Sequence, residues 1–251
     1  MKKILIVFIL SALTFIQAQV PDYTIKEIHK VYNSEQYKRD SAYVISISWP
    51  VFDENGKNGS LAKTLNFEIR NILQLGTGTV EDVVDSMLAL YQSWESEDDF
   101  GMYWSHDQNL SVRVSGGKII SLIDAGWDYS GGAHGLGYVM YHNYSVDTEK
   151  KLELSDLIIP GGEELLKSQA EQVFRVQYDL VGKDLTEEGF WFGENGFSLN
   201  TNFLPDEKSI TFYYNSYEIA PYAFGPTEIT VPYEKFKQVI RADGPLGFVF
   251  E

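Results

Sequence analysis

From Ser41 to Trp49 the chain alternates, with Tyr43, Ile45, Ile47 and Trp49 on one side and Val44, Ser46 and Ser48 on the other. That period of two predicts a half-buried strand, ended by Pro50. The run Asp53 to Gly59 is rich in turn formers. It has a faint likeness to a calcium loop, but the twelfth position is Thr64 instead of glutamate, so it reads as a plain loop. The period then changes to that of a helix. Leu61, Leu65, Ile69, Ile72 and Leu73 share one face of a helix from Ser60, which can cap it, to about Leu75, and Gly76 suits the stop. A second helix starts at Thr79, whose spacing to Asp82 is that of a capping box. Its apolar face is Val83, Val84, Met87, Leu88, Tyr91 and Trp94. The acidic run Glu95 to Asp99 reads as a solvated helix end or loop.

Strand signals dominate the middle of the chain. Leu110 to Val114 and Lys118 to Asp124 flank the turn signal Gly116-Gly117, which predicts a hairpin. Tyr138 to Val146 alternates with Tyr138, Met140, His142, Tyr144 and Val146 on one face. A third helix is expected from about Gly162 to Val181, with Leu165, Leu166, Ala170, Val173 and Phe174 inward. Phe197 to Leu199 and Ser209 to Tyr214 are expected to pair through the turn Pro205-Asp206-Glu207-Lys208. Glu228 to Val231 is a short strand, and Pro232 fits the first turn of a final helix with Phe236, Val239 and Ile240 inward. Strands grouped by short turns favour antiparallel pairing, so the expected class is α+β, a curved and mostly antiparallel sheet with helices packed against it.

Two lysines at positions 2 and 3, the apolar run Ile4 to Ile16 and the small residue Ala18 give residues 1–18 the form of a secretory signal peptide. The apolar run is short for a permanent span, which needs ~20 residues. The expected location is therefore periplasmic or extracellular. The 251 residues carry 36 acids against 20 lysines and arginines, a net charge of −16. Such acidity argues against nucleic acid and anionic lipid as partners, because both need a basic face. With no cysteine in the chain, disulfides, thiolate metal ligands and thiol catalysis are excluded.

Candidate chemistry is sparse. Gly131-Gly132-Ala133-His134-Gly135 is the sharpest string, since glycines permit positive φ and close backbone approach and so can hold the His134 imidazole against a ligand or a carboxylate. The plainer reading is a bend between strands whose histidine satisfies main chain. No Gly-x-Ser-x-Gly occurs, so Ser130 is not a nucleophile elbow. None of the four histidines lies in a His-x-x-x-His or His-Glu-x-x-His string, and no metal or other cofactor is expected. His134 and His142 with Asp124 or Asp128 would have to converge in space. Tyr217-Glu218-Ile219-Ala220-Pro221-Tyr222 reads as a shaped turn, because a residue before proline is held extended. Glu218 there is either an acid or base beside His134 or an acceptor of backbone bonds. Phe190-Trp191-Phe192-Gly193 is either an exposed stacking loop or a plug under a loop.

Three groups of segments together resemble one bacterial family. They are Tyr43 to Pro50 with Leu65-Asn66, then Leu110 to Val112, Tyr129 to Gly135, Tyr141 to Asn143 and Leu152 to Leu157, and last Phe197 to Leu199, Tyr213-Tyr214, Tyr217 to Tyr222, Gly225 and Val231 to Tyr233. The set is similar to the RsiV/PdaC-like extracytoplasmic module, a domain of unknown function. Asp147 to Lys150 departs from it, with Glu149 where the family's turn usually has glycine. The resemblance implies two consecutive halves forming one compact unit, a PdaC-like half over residues 19–150 and an RsiV-like half over 151–251. One relative is an anti-sigma-factor ectodomain that binds lysozyme, and another precedes a peptidoglycan deacetylase. The implied function is envelope binding or sensing, with a basic lysozyme-like protein or cell-wall glycan as partner and Tyr129, His134, Tyr217, Glu218 and Tyr222 as ligand-binding candidates. The alternative is a hydrolase of cell-wall glycan or its acyl groups using His134 and a carboxylate.

Overall fold

The alternation that begins at Ser41 belongs to the second strand of a five-stranded sheet. The computed structural model describes residues 20–95, 102–193 and 196–251. The expected signal peptide and most of the acidic run after Glu95 lie outside them. The strands, in chain order and in order across the sheet, are β1 (Tyr23–Ser34), β2 (Arg39–Phe52), β3 (Trp104–Ser115), β4 (Ile119–Tyr129) and β5 (Leu136–Ser145). All neighbours are antiparallel except β2 and β3, which are parallel. A parallel pair needs a long crossover. Helices α1 (Gly59–Ile72) and α2 (Val80–Glu95) supply it.

Local chemistry accounts for most boundaries. Thr79 and Asp82 form the expected capping box, the Asp82 carboxylate accepting the Thr79 N–H at 2.7 Å and the Thr79 hydroxyl accepting the Asp82 N–H at 3.2 Å. Ser60 is not the cap of α1. The helix begins one residue earlier, after Asn58 in a left-handed conformation, and the Ser60 hydroxyl donates to Glu149 Oε2 at 2.6 Å. Gly116 and Gly117 take φ of 54° and 65°, as a tight hairpin turn requires. Pro50 does not end β2, which runs two residues further opposite β1. Pairing with β3 stops at Ser48, so the proline sits where the strand has a neighbour on one side only.

Tyr43, Ile45 and Ile47 of β2 pack under Leu61, Leu65, Ile69, Val84 and Tyr91, all buried in one cluster with Leu110, Ile120 and Leu122. The Tyr91 ring lies 5.3–5.6 Å from Tyr32, Tyr43 and Trp104, pairs worth roughly 0.5–1.5 kcal/mol each beyond the area they bury. Trp94, expected inward, is 50% exposed.

A second cluster fills the rest of the chain. Helices α3 (Leu154–Leu157) and α4 (Glu163–Gln177) precede a three-stranded antiparallel sheet, β6 (Phe203–Pro205), β7 (Ser209–Tyr214) and β8 (Thr227–Pro232). Leu166, Ala170 and Phe174 of α4 pack on Phe212, Ile229 and Val231. Two expectations are corrected. The partner of β7 is Phe203–Pro205, and Phe197 to Leu199 is not a strand. The Phe197 side chain is instead buried 5.7 Å from the Phe174 ring, and the Tyr214 hydroxyl donates to the Ser198 carbonyl, so this segment's bonds go to side chains. After Pro232 there are two 3-10 turns, Tyr233–Lys235 and Lys237–Val239, in place of an α-helix. The carbonyl of Val239 accepts the Ile159 N–H and the N–H of Arg241 donates to Leu157, and these bonds to a distant segment break any helical run there.

Side-chain amides join the two sheets along β5. Asn202 Oδ1 accepts the Tyr141 N–H at 2.8 Å while its Nδ2 donates to the Val139 carbonyl at 2.7 Å. Asn215 Oδ1 accepts the Val139 N–H at 2.8 Å, and Asn143 Nδ2 donates to the Phe203 carbonyl at 2.7 Å. At the tip of the β3–β4 hairpin, Arg113 pairs with Asp206 and the Ser115 hydroxyl donates to the Pro205 carbonyl. The cluster under α1 and α2 and the cluster under α4 thus meet across these polar groups, with Ile119 of β4 buried in the second cluster.

Candidate functional site

The loop between β4 and β5 carries His134. Gly131 and Gly132 take φ of 95° and 91°, conformations that L side chains avoid, so the bend depends on glycine. A Cβ on Gly131 would strike Met102 and one on Gly135 would strike the Trp127 ring, so both are also packing positions. His134 is exposed, and its Nδ1–H donates to the Gly135 carbonyl at 3.0 Å.

The Tyr217–Tyr222 turn reaches this loop from the other half. Tyr222 stacks face to face on the His134 ring at 3.7 Å and 12°, and its hydroxyl donates to the same Gly135 carbonyl at 3.1 Å. Tyr217 lies 5.5 Å from Tyr222. It is 52% exposed with φ of 71°, a left-handed conformation in which a bulky residue is strained. The structure therefore brings His134, Tyr217 and Tyr222 together, with Glu218 next to Tyr217 in the turn. Tyr129 is not part of the stack. Its hydroxyl donates to the Gly132 carbonyl at 3.0 Å and shapes the loop from the β4 side.

Glu218 and His134 are not joined by a hydrogen bond or ion pair among the described residues. Glu218 Oε2 accepts from Asn200 at 2.7 Å and Oε1 from Asn215 at 3.1 Å. Both oxygens meet neutral amides, so the carboxylate is held in place and its charge is left uncompensated at the surface. The convergence of His134 and His142 with Asp124 or Asp128 does not occur either. Asp128 bonds His106 across the β3–β4 pair at 2.6 Å, and Asp124 accepts from Gln108 and Tyr138. Burial lowers the pKa of His142, with Lys151 adding to the effect. No group of three or more His, Asp and Glu among the described residues is placed to hold a metal ion.

Of the Phe190–Gly193 string, Phe190 is buried and Phe192 packs against the same core, while Trp191 is 44% exposed. The Trp191 N–H donates to the Ile219 carbonyl at 2.9 Å, which anchors this loop to the Tyr217–Tyr222 turn. Trp127 was missed by sequence reasoning. It is 43% exposed on β4 with its ring against Gly135, and only its nearness to the glycine string could have flagged it. The arrangement is a set of exposed rings spanning the junction of the halves, beside an uncompensated carboxylate. It suits stacking and charge recognition better than proton transfer.

Residues 155–234 match the model of a family described as "Protein of unknown function (DUF3298)". No curated protein matches the chain. The fold is similar to that of a DUF3298 family member from Bacteroides fragilis, at TM-score 0.71 and 21% identity over 90% of this chain and 96% of that one. It is also similar to a DUF3298 family protein from Pseudomonas aeruginosa, at TM-score 0.63 and 18% identity over 88% and 94%. At such identities these likenesses establish the architecture alone. Residues 155–234 thus resemble the DUF3298 family model, and the fold as a whole is similar to that of two DUF3298 proteins.

Proposed function

We propose that the chain is an exported, non-catalytic envelope protein of the RsiV/PdaC-like kind, which binds a basic lysozyme-like protein through the rings of His134, Tyr217 and Tyr222. The observation that carries this reading is the 3.7 Å stack of the exposed His134 ring on the half-buried Tyr222 ring, flanked by the exposed Tyr217 and Glu218. Amphipathic rings on a rigid surface offer contact area at low entropic cost. A net charge of −16 speeds encounter with a cationic partner and makes the on-rate fall with salt.

Cell-wall glycan is the second reading, favoured by Trp127 and Trp191, whose exposed faces can lie flat on sugar rings. Hydrolysis by His134 and Glu218 has no support in the geometry, since each is bonded elsewhere. The test is titration of the protein with a cationic lysozyme and, separately, with soluble peptidoglycan fragments, at low and physiological ionic strength. Lysozyme binding that weakens with salt and is lost in Tyr222→Ala supports the proposal. Binding of fragments alone moves the assignment to glycan, and binding of neither overturns both.

A further inference from the structure

On one face of the five-stranded sheet, Tyr43, Ile45 and Ile47 pack under α1 and α2. The opposite face carries short polar side chains in register. His29, Ser46, Asp107 and Trp127 stand opposite one another across β1 to β4, and Glu27, Ser48 and Asn109 make the next row. A shallow hollow of about 520 Å³ lies over these rows from β1 to β3, with no lysine or arginine in its lining. Trp127 is just beyond it on β4, the direct cross-strand neighbour of Asp107.

Glycine decides how that ring sits. Gly137 is its partner on β5, and Gly135 stands just before that strand. A Cβ would be 3.3 Å from the indole at Gly137 and 2.4 Å from it at Gly135, so the ring leans over backbone that carries no side chains. One side of the indole is thereby packed, and the residue stays 43% exposed. Side chains on a strand otherwise stand out from the sheet. Asp107 and Asn109, both exposed, therefore rise beside a ring that lies low.

The polar groups here are largely unspent. Neither the Asp107 nor the Glu27 carboxylate has a hydrogen bond or ion pair among the described residues. Asn109 gives one N–H to the Ser48 oxygen. That leaves Asn109 a second N–H and its Oδ1, and leaves Ser48 its own O–H to donate. The hollow thus offers carboxylate and amide acceptors together with amide and hydroxyl donors, next to an apolar platform. A sugar ring has the matching parts: C–H groups that lie on an aromatic face, and hydroxyls around its rim that both donate and accept. The two carboxylates set the charge, since an anionic sugar would meet them with no cation in the lining to offset it.

We propose that the open face of the sheet binds an uncharged oligosaccharide, one pyranose stacked on Trp127 and the adjoining sugars bonded in the hollow by Asp107, Asn109 and Ser48. From β4 to β1 is three strand spacings, about 14 Å, room for a short chain of sugars. The proposal rests on the glycan reading above and gives it a surface apart from the His134–Tyr222 stack.

Titration of the full chain with chitotetraose and cellotetraose, and with tetragalacturonate as the anionic counterpart, tests this by calorimetry and tryptophan fluorescence. At least one neutral tetraose is expected to bind, about tenfold or more tighter than tetragalacturonate. Trp127→Ala should abolish that binding. Asp107→Ala, at an exposed position, should weaken it about tenfold with the melting temperature kept. No binding of either neutral tetraose, tetragalacturonate binding as tight as theirs, or undiminished binding to a folded Trp127→Ala or Asp107→Ala protein would each overturn the proposal. Peptidoglycan-fragment binding that survives Trp127→Ala would keep the glycan reading and remove this site alone.

Discussion

Asn202 lies beside Tyr141 as a neighbouring strand would, its carboxamide taking the Tyr141 N–H and giving a hydrogen bond to Val139 two residues away. The amide has the donor and acceptor of a peptide group, and at 4% exposure it is shielded from water as a central strand would be. Asn202→Leu keeps the volume and removes both bonds. The Tyr141 N–H is then buried without an acceptor, and stability should fall by about 2–4 kcal/mol in urea unfolding. A loss below ~1 kcal/mol would mean that the junction does not depend on this amide.

His134 and Tyr222 should separate recognition from stability. The imidazole is exposed, so His134→Ala should cost less than about 1 kcal/mol, within the range of ordinary surface changes. Tyr222→Phe keeps the stack but loses the bond to Gly135, at a cost of roughly 0.5–1.5 kcal/mol. Thermal melts of both variants check this. A large drop for His134→Ala would make the ring architectural and withdraw it from the binding surface.

Glu149 sits at φ of 58°, a conformation that glycine adopts without strain. The left-handed conformation costs an L residue roughly 1–2 kcal/mol, and the Ser60 bond offsets part of that. Glu149→Gly should therefore stay within about 0.5 kcal/mol of the parent, strain relief balancing the lost bond. Glu149→Val, β-branched and without the carboxylate, should lose ~2 kcal/mol or more by chemical denaturation.

Two titratable groups, buried Asp124 and half-buried His142, set opposite pH slopes. Burial raises the Asp124 pKa above its ordinary 3.8, against the lowering effect of bonds from Gln108 and Tyr138. The folded protein then holds a proton that the unfolded chain has lost, so this group's contribution falls as pH climbs from 3.8 through the folded value and stays low at neutrality. Asp124→Asn should gain on the parent at neutral pH, with the gap closing toward pH 3.8.

His142 behaves the other way. Its pKa is lowered from 6.5, so the fold resists protonation and its contribution is lost as pH drops below 6.5. His142→Leu should gain on the parent under acid conditions and not above pH 6.5. Melting temperatures of both variants across the pH range, read as differences from the parent, decide the matter.

The sheet-and-helix class, the Thr79 capping box and the Gly116-Gly117 hairpin were legible because each is written in local residues. The edge strand β1 was not. Both of its faces are largely solvated, so Tyr23 to Ser34 shows no burial period to read. The parallel β2–β3 pair was hidden for another reason, since strand direction depends on where α1 and α2 return the chain. Within the site, the glycine-flanked His134 and the Tyr217–Tyr222 turn were visible as separate strings. Their stacking was not, because it joins residues 88 positions apart through a tertiary contact. The His106–Asp128 pair escaped for the same reason, being a cross-strand register effect with no signature along the chain.

The amides along β5 occupy the main-chain groups of its outer margin. A sheet whose last strand ends in side-chain carboxamides offers no free ladder there for an incoming peptide to extend. The opposite margin at β1 has no such seal among the described residues. Growth of the five-stranded sheet by strand addition, whether by a second molecule or by misassembly, is therefore directed to β1, where Lys26 and Lys30 place charge against it.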